Sequence, residues 1–220
     1  MKDEHAQWVQ QRETTVWAPH GTASLAATCW LDDTDRAFEG LPGRWRADGS
    51  VVRGSGLPGQ QMLEPGAEAR LGELLLRAEV REDALLLRVF DPSAAGRKGI
   101  STIVRAPYEP SGVRTGMYSP TSDHHGIVVL EVDGRAHELE VAREPDGTLF
   151  AAFSDSTSGE ESYLFRFLRL PTPDASGSVE VDLNRAYLPP CAFSEHYLCV
   201  FPSPRNRWSV PVRAGELRVQ

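Results

Sequence analysis

Lysine is almost missing from this chain of 220 residues: Lys2 and Lys98 are the only two. Arginine carries nearly all the positive charge. Acids still outnumber bases, 31 to 23, for a formal net charge of -8. That balance argues against a nucleic-acid or anionic-membrane surface, because phosphate contacts need a local excess of Lys and Arg. Long apolar runs are missing too, so nothing reaches the roughly 18 residues of a bilayer-spanning helix. Met1 is followed by the polar Lys2, Asp3, Glu4 and His5. No signal peptide is expected, and the expected compartment is the cytoplasm. Cysteine is scarce: Cys29, Cys191 and Cys199 are expected there as reduced thiols, with Cys191 and Cys199 near enough in sequence to pair on oxidation. The chain also lacks a Walker loop, a Gly-x-Ser-x-Gly elbow and a dinucleotide-binding glycine turn between strand and helix. No cofactor is expected.

What is present is a globular composition, with 40% hydrophobic and 25% charged residues. A chain of this length buries roughly 70% of the surface its unfolded form exposes, enough for a proper core. Trp8, Arg12 and Val16 recur about a turn apart, which predicts an N-terminal helix over 3–17 ended by Pro19-His20-Gly21. Residues 22–31 read as a strand. Hairpins are predicted at 43–47 with 51–54, at 71–80 with 84–90, and at 126–132 with 135–143. The last turns on Asp133-Gly134, a strong two-residue hairpin signal. Residues 71–79 also hold good helix formers, but the spacing of turn signals favours strands. A Pro- and Gly-rich loop covers 57–66. Three further strands are predicted at 149–154, 163–170 and 178–183. Many short strands at this spacing mean a mainly β protein, an antiparallel β-sandwich or barrel with an N-terminal α-helix. One domain is expected over 1–220: a helix at 1–20, a variable β-rich half at 21–110 and a motif-bearing β half at 111–220.

No metal site is expected. The acidic turn at Asp32, Asp33 and Asp35 lacks the spaced ligands of a calcium loop. His124 and His125 point to opposite faces of a strand and have no partner at ligand spacing.

The chemistry concentrates between residues 149 and 208, where acids, amides, hydroxyls, two thiols and a His are interleaved with aromatics and prolines. Glu160 and Glu161 follow a polar turn, and strand alternation sends them to opposite faces. Glu161 buried beside apolar groups would act as an acid or base; otherwise it pairs with Arg166 or Arg169. Asp182 and Asn184 share a face and either orient a substrate or anchor the stiff Pro189-Pro190 loop. Cys191 with His196 is a candidate thiol nucleophile, set against the plainer reading of a buried small side chain.

Four blocks carry a resemblance. They are Trp8-x-x-x-Arg12 with Ala18-Pro-His-Gly21 and Trp30-Leu31; Phe153-Ser-Asp-Ser-Thr-Ser-Gly-Glu-Glu-Ser-Tyr163; Asp182-Leu-Asn-Arg-Ala-Tyr-Leu-Pro-Pro-Cys-Ala-Phe-Ser194; and Cys199-Val-Phe-Pro-Ser-Pro-Arg-Asn-Arg207 with Ala214-Gly-Glu216. Together they resemble the DUF1684 family of bacterial and archaeal proteins of unknown function. The likeness spans almost the whole chain and is specific in the last 75 residues. Leu164 and Phe165 stand where the family usually has glycines, and Thr22 stands where it has an aromatic. The resemblance implies a fold and a site region and brings no reaction with it.

Two functional classes follow. One is a cofactor-independent enzyme that uses general acid–base chemistry on a small organic molecule in a β-barrel pocket, of hydrolase, isomerase or cyclase type. Glu161, Asp182, Tyr187 and Arg166 would be catalytic. Asp155, Glu160, Asn184, Cys191, Phe193, His196, Tyr197 and Trp208 would line the pocket. The other is a non-catalytic module that binds a small ligand or a protein. No nucleic acid or membrane partner is expected; the oligomeric state is open, a homodimer among the options.

Overall fold

The computed structural model describes residues 2–59 and 61–220; Gln60, inside the expected 57–66 loop, lies outside the described residues. The chain is mostly β with an N-terminal helix, α1 (Lys2–Trp17). It divides into two compact units. One holds residues 12–100 and 193–198. The other holds residues up to 11, 101–192 and 199–220.

The first unit carries β1 (Leu25–Trp30), β2 (Arg36–Phe38), β3 (Leu41–Asp48), β4 (Val51–Ser55), β5 (Gln61–Leu63), β6 (Glu68–Leu71), β7 (Leu74–Arg81) and β8 (Ala84–Phe90), then the short α2 (Ala94–Arg97). They form two antiparallel four-stranded sheets, ordered β1-β8-β7-β6 and β2-β3-β4-β5. Cys29, Trp45, Val52, Leu63, Leu76, Ala78, Leu85 and Leu87 share one core. Residues 71–79 are strand and strand turn, as the turn signals predict. The expected strand at 22–31 begins later, at Leu25, because Thr22–Ser24 form a 3-10 turn. Gly54-Ser55-Gly56-Leu57-Pro58-Gly59 spells a dinucleotide-type glycine pattern. It leaves β4 and leads towards β5, not into a helix, so no helix N-terminus faces a pyrophosphate. Gly54 has a packing reason instead: a Cβ there would lie 2.7 Å from the Trp45 ring.

The second unit carries β9 (Ile103–Arg105), β10 (Val113–Pro120), β11 (His125–Val132), β12 (Arg135–Arg143), β13 (Leu149–Phe153), β14 (Arg166–Leu170), β15 (Ser178–Asp182) and β16 (Glu216–Val219). Six of them make one antiparallel sheet, ordered β14-β13-β12-β11-β10-β15. β15 follows β14 in the chain yet occupies the opposite edge, and the two edges approach one another, so the sheet curls into a half-barrel. β9 and β16 form a separate pair. The β11–β12 turn has positive φ at both Asp133 (50°) and Gly134 (72°), as a type I′ hairpin requires. Strand alternation puts Val128, Leu130, Leu139, Val141, Leu149, Ala151, Phe153, Leu168 and Leu170 on the inner face. Trp208, Val210, Val212 and Ala214 fill the same core from an extended segment that is no ladder strand. Among the described residues, no helix is long and apolar enough to cross a membrane.

A side chain added at Gly54 must displace the fully buried Trp45 indole. Gly54→Ala should therefore lower stability by about 1–3 kcal/mol, read as a reduced urea midpoint by Trp fluorescence.

Candidate functional site

β12 and β13 pair over only two positions, Ala142 with Phe150 and Arg143 with Leu149. Beyond them the strands part, and Asn206 fills the gap. Its Oδ1 accepts from the Glu140 N–H (2.7 Å), and its Nδ2 donates to the carbonyls of Glu140 (2.9 Å) and Ala152 (2.9 Å). A side-chain amide presents the same donor and acceptor as a backbone peptide, so Asn206 continues the ladder by proxy.

A groove of about 480 Å³ opens on the outer face at this split. Ile127, Ala142, Phe150 and Ala152 line its floor, and Val200 with Phe201 forms a wall. Phe201 is 69% exposed and packs against Phe165, with ring centroids 5.1 Å apart. Phe165 meets Phe167 (5.8 Å), which meets Phe150 (4.9 Å) and Tyr187 (5.8 Å), so the apolar lining runs on into an aromatic cluster. His125, Glu140, Arg205 and Ser203 supply polar groups. Arg205 is paired with Glu138 and Glu140. The Ser203 hydroxyl is buried, starts a 3-10 turn without capping it, and finds no hydrogen-bond partner among the described residues.

The carboxylates and amides singled out from sequence do other work. Arg166 and Asp155 are fully buried and joined at 2.6 Å. The Asp155 carboxylate also accepts from the Thr157 N–H and hydroxyl and from the Val212 N–H. Arg166 donates to the carbonyls of Ala214 (2.6 Å) and Val212 (2.7 Å). Burial pulls the guanidinium pKa down, and Asp155 opposes that. Glu161 is exposed and binds Arg213 through both oxygens, at 2.7 Å each; that hydrogen bonding lowers its pKa. Glu160 is exposed, with its N–H on the Thr157 carbonyl. Asp182 caps the 3-10 turn that follows β15 by accepting from the Asn184 N–H, and pairs with Arg185. Asn184 is buried and bonds both the N–H and the carbonyl of Glu109. Trp208 donates to the Glu138 carbonyl and packs at a tilt against Phe153. Phe193, His196 and Tyr197 belong to the other unit. Phe193 packs edge-on against Trp17, His196 accepts from Thr28 through its carbonyl, and Tyr197 donates to the Thr22 carbonyl. None of the twelve lines the groove. The expected convergence of Glu161, Asp182 and Tyr187 on one cavity gives way to separate local partners for each carboxylate, with the Tyr187 backbone bridged to Phe167.

Cys191 and Tyr187 border the aromatic cluster behind the groove. The Tyr163 hydroxyl donates to Cys191 Sγ at 3.7 Å, and the Cys191 N–H donates to Cys199 Sγ at 3.3 Å. Neither cysteine is in a disulfide, and both are half-buried. The hydrogen bond from Cys199 and that from Tyr163 outweigh burial and lower the Cys191 pKa to about 7. Burial, reinforced by Cys191, raises that of Tyr163. Cys29, buried in the first unit, is pushed up to about 11. Among the described residues, no group of three or more His, Cys, Asp or Glu is placed to hold a metal ion.

The model of a family described as a protein of unknown function, DUF1684, matches residues 107–217. The chain belongs to the DUF1684 family. The matched span of this DUF1684 chain takes in β10 to β15, the groove and the paired thiols, and leaves β1 to β8 outside. No curated protein matches. A solution NMR structure of an uncharacterized protein from Haloarcula marismortui is similar at 24% identity and a TM-score of 0.47, over 56% of this chain and 79% of that one.

Sequence reasoning missed the groove residues Phe150, Phe201, Ser203 and Asn206. The available signal was an aromatic set among prolines in a polar stretch, Val200-Phe201-Pro202-Ser203-Pro204.

Two expectations follow. Asp155→Ala strands a buried guanidinium and should cost about 3–5 kcal/mol by chemical denaturation, whereas Glu161→Gln should leave the melting temperature unchanged. Iodoacetamide alkylation of Cys191, followed by peptide mass, should rise from about pH 6 to about pH 8 and then level off as the thiolate saturates. Cys29 should stay unreactive across that range.

Proposed function

We propose that this protein binds a small, uncharged organic molecule in the groove beside Asn206, the non-catalytic of the two classes set out above. The groove itself carries the reading: about 480 Å³ of space with a largely apolar lining that includes Phe150 and Phe201, and one buried hydroxyl, Ser203, free to bond a guest. That volume falls in the usual range for small-molecule sites. The cation nearby is already paired, because Arg205 faces Glu138 and Glu140. A flat apolar body with a single hydrogen-bonding head therefore suits the site better than a strongly ionic ligand. Acid–base catalysis has less support, since Glu161, Asp182 and Arg166 are bonded to protein partners and lie outside the groove lining.

The probe is 2-naphthol, a planar aromatic with one hydroxyl. Calorimetric titration should give saturable binding with Kd on the order of 100 µM. Ala142→Trp, which fills the floor, should weaken it at least ~10-fold, and Ser203→Ala by roughly 3- to 10-fold. Wild-type protein that shows no saturation, or binding indifferent to Ala142→Trp, rules the site out.

A further inference from the structure

Behind the aromatic wall, the two thiols and the phenol form a cluster that ligand binding does not use. Cys191 and Cys199 are eight residues apart in sequence, yet the Cys191 N–H donates to Cys199 Sγ at 3.3 Å, which brings the two side chains together. The Tyr163 hydroxyl donates to Cys191 Sγ from another part of the chain. Both cysteines keep some solvent exposure, whereas Cys29 is buried. One sulfur with a phenol donor and a second sulfur close by are what a peroxide-reactive pair needs. The first must persist as a thiolate, and the second must reach it once it is oxidised.

We propose that Cys191 and Cys199 are an oxidation site for hydroperoxides, with Cys191 attacking and Cys199 resolving. The Cys191 thiolate attacks the distal oxygen of the O–O bond. An S–O bond forms, the O–O bond breaks, and the leaving alkoxide or hydroxide takes a proton from solvent. Cys191 is then a sulfenic acid, two electrons more oxidised, and the hydroperoxide has become an alcohol or water. Cys199 sulfur attacks the Cys191 sulfur, the S–O bond breaks, and the thiol proton leaves with the hydroxyl as water. The product is a Cys191–Cys199 disulfide. Tyr163 positions and stabilises the attacking thiolate by its hydrogen bond and takes no part in the bond changes. This assignment is independent of the groove.

The test treats the full chain with hydrogen peroxide and reads intact mass and free-thiol titre. Wild-type protein should lose two hydrogens and two titratable thiols, and dithiothreitol should restore both. Cys199→Ser should stop at a sulfenic acid that dimedone traps on the Cys191 peptide. Cys191→Ser and Cys191→Ala, used together in case one misfolds, should form neither product. Cys191 should react at least ~10-fold faster than Cys29. Tyr163→Phe should slow oxidation near neutral pH by roughly 3- to 10-fold and move the midpoint of the rate–pH profile upward, a change that simple loss of packing would not produce. The proposal fails if the thiol titre survives peroxide that oxidises free cysteine, or if methionine alone gains oxygen. It fails equally if Cys191→Ser still closes a disulfide.

Discussion

The segment from Trp208 to Ala214 has the side-chain alternation of a strand without a strand's ladder, and the Asp155–Arg166 pair supplies the missing bonds. Trp208, Val210, Val212 and Ala214 point into the half-barrel core, so their backbone is carried into a region that water does not reach. Buried N–H and C=O groups must find partners. The first ones come from β13's continuation: the Trp208 N–H reaches the Ser154 carbonyl, and the Val210 carbonyl accepts from the Ser156 N–H. Further on, Asp155 takes the Val212 N–H, while Arg166 takes the Val212 and Ala214 carbonyls. A guanidinium suits this task because its donors form a rigid fork that meets two carbonyls and a carboxylate together; a lysine offers one point. Burying two charges carries a desolvation penalty that their attraction offsets only in part, and the Arg166 Nε–H has no hydrogen-bond partner among the described residues. The pair therefore fixes where the segment lies more than it adds net stability.

The groove is a consequence of that placement. Residues 203–208 reach the sheet where β12 and β13 separate, and Asn206 bonds to both strands. A fully zipped β12–β13 ladder would leave no gap for Asn206. The turn that presents Asn206 also delivers Ser203 and Phe201 to the outer face. Space for a guest thus arises from the same event that closes the core, without a dedicated loop.

The sequence disclosed those parts of the fold that local chemistry decides. The helix before Pro19, the Asp133-Gly134 hairpin and the paired runs around Arg81-Glu82-Asp83 follow from periodicity and turn residues. β10 was hidden because Thr115, Gly116, Ser119 and Pro120 blur its alternation; it exists because β11 and β15 flank it on both sides. β16 is four residues long and depends on β9, more than a hundred positions earlier. The division into two units was equally hidden, since 193–198 returns to a unit otherwise made of 12–100. The region richest in chemistry was visible, but the task of each residue was not. Asn184 looks the same in sequence whether it faces a substrate or the Glu109 backbone.

What separates the two cases is unused bonding capacity. Asp155, Asn184 and Asn206 have polar atoms engaged by several protein partners, so a ligand would have to break native bonds to use them. Glu161 is held by both oxygens, though in solvent. Residue type marked Asp155, Asn184 and Glu161 as reactive, and geometry engages them. Ser203 is the reverse: an ordinary hydroxyl with no partner among the described residues, beside an open space. Cys191 lies between, bonded to a phenol and to a second thiol, both weak and easily exchanged contacts. Chemistry in this fold is therefore to be sought where the bonding is incomplete or labile, and in the half-barrel that means the outer face around Ser203 and the thiols behind it, away from the charged pair at its centre.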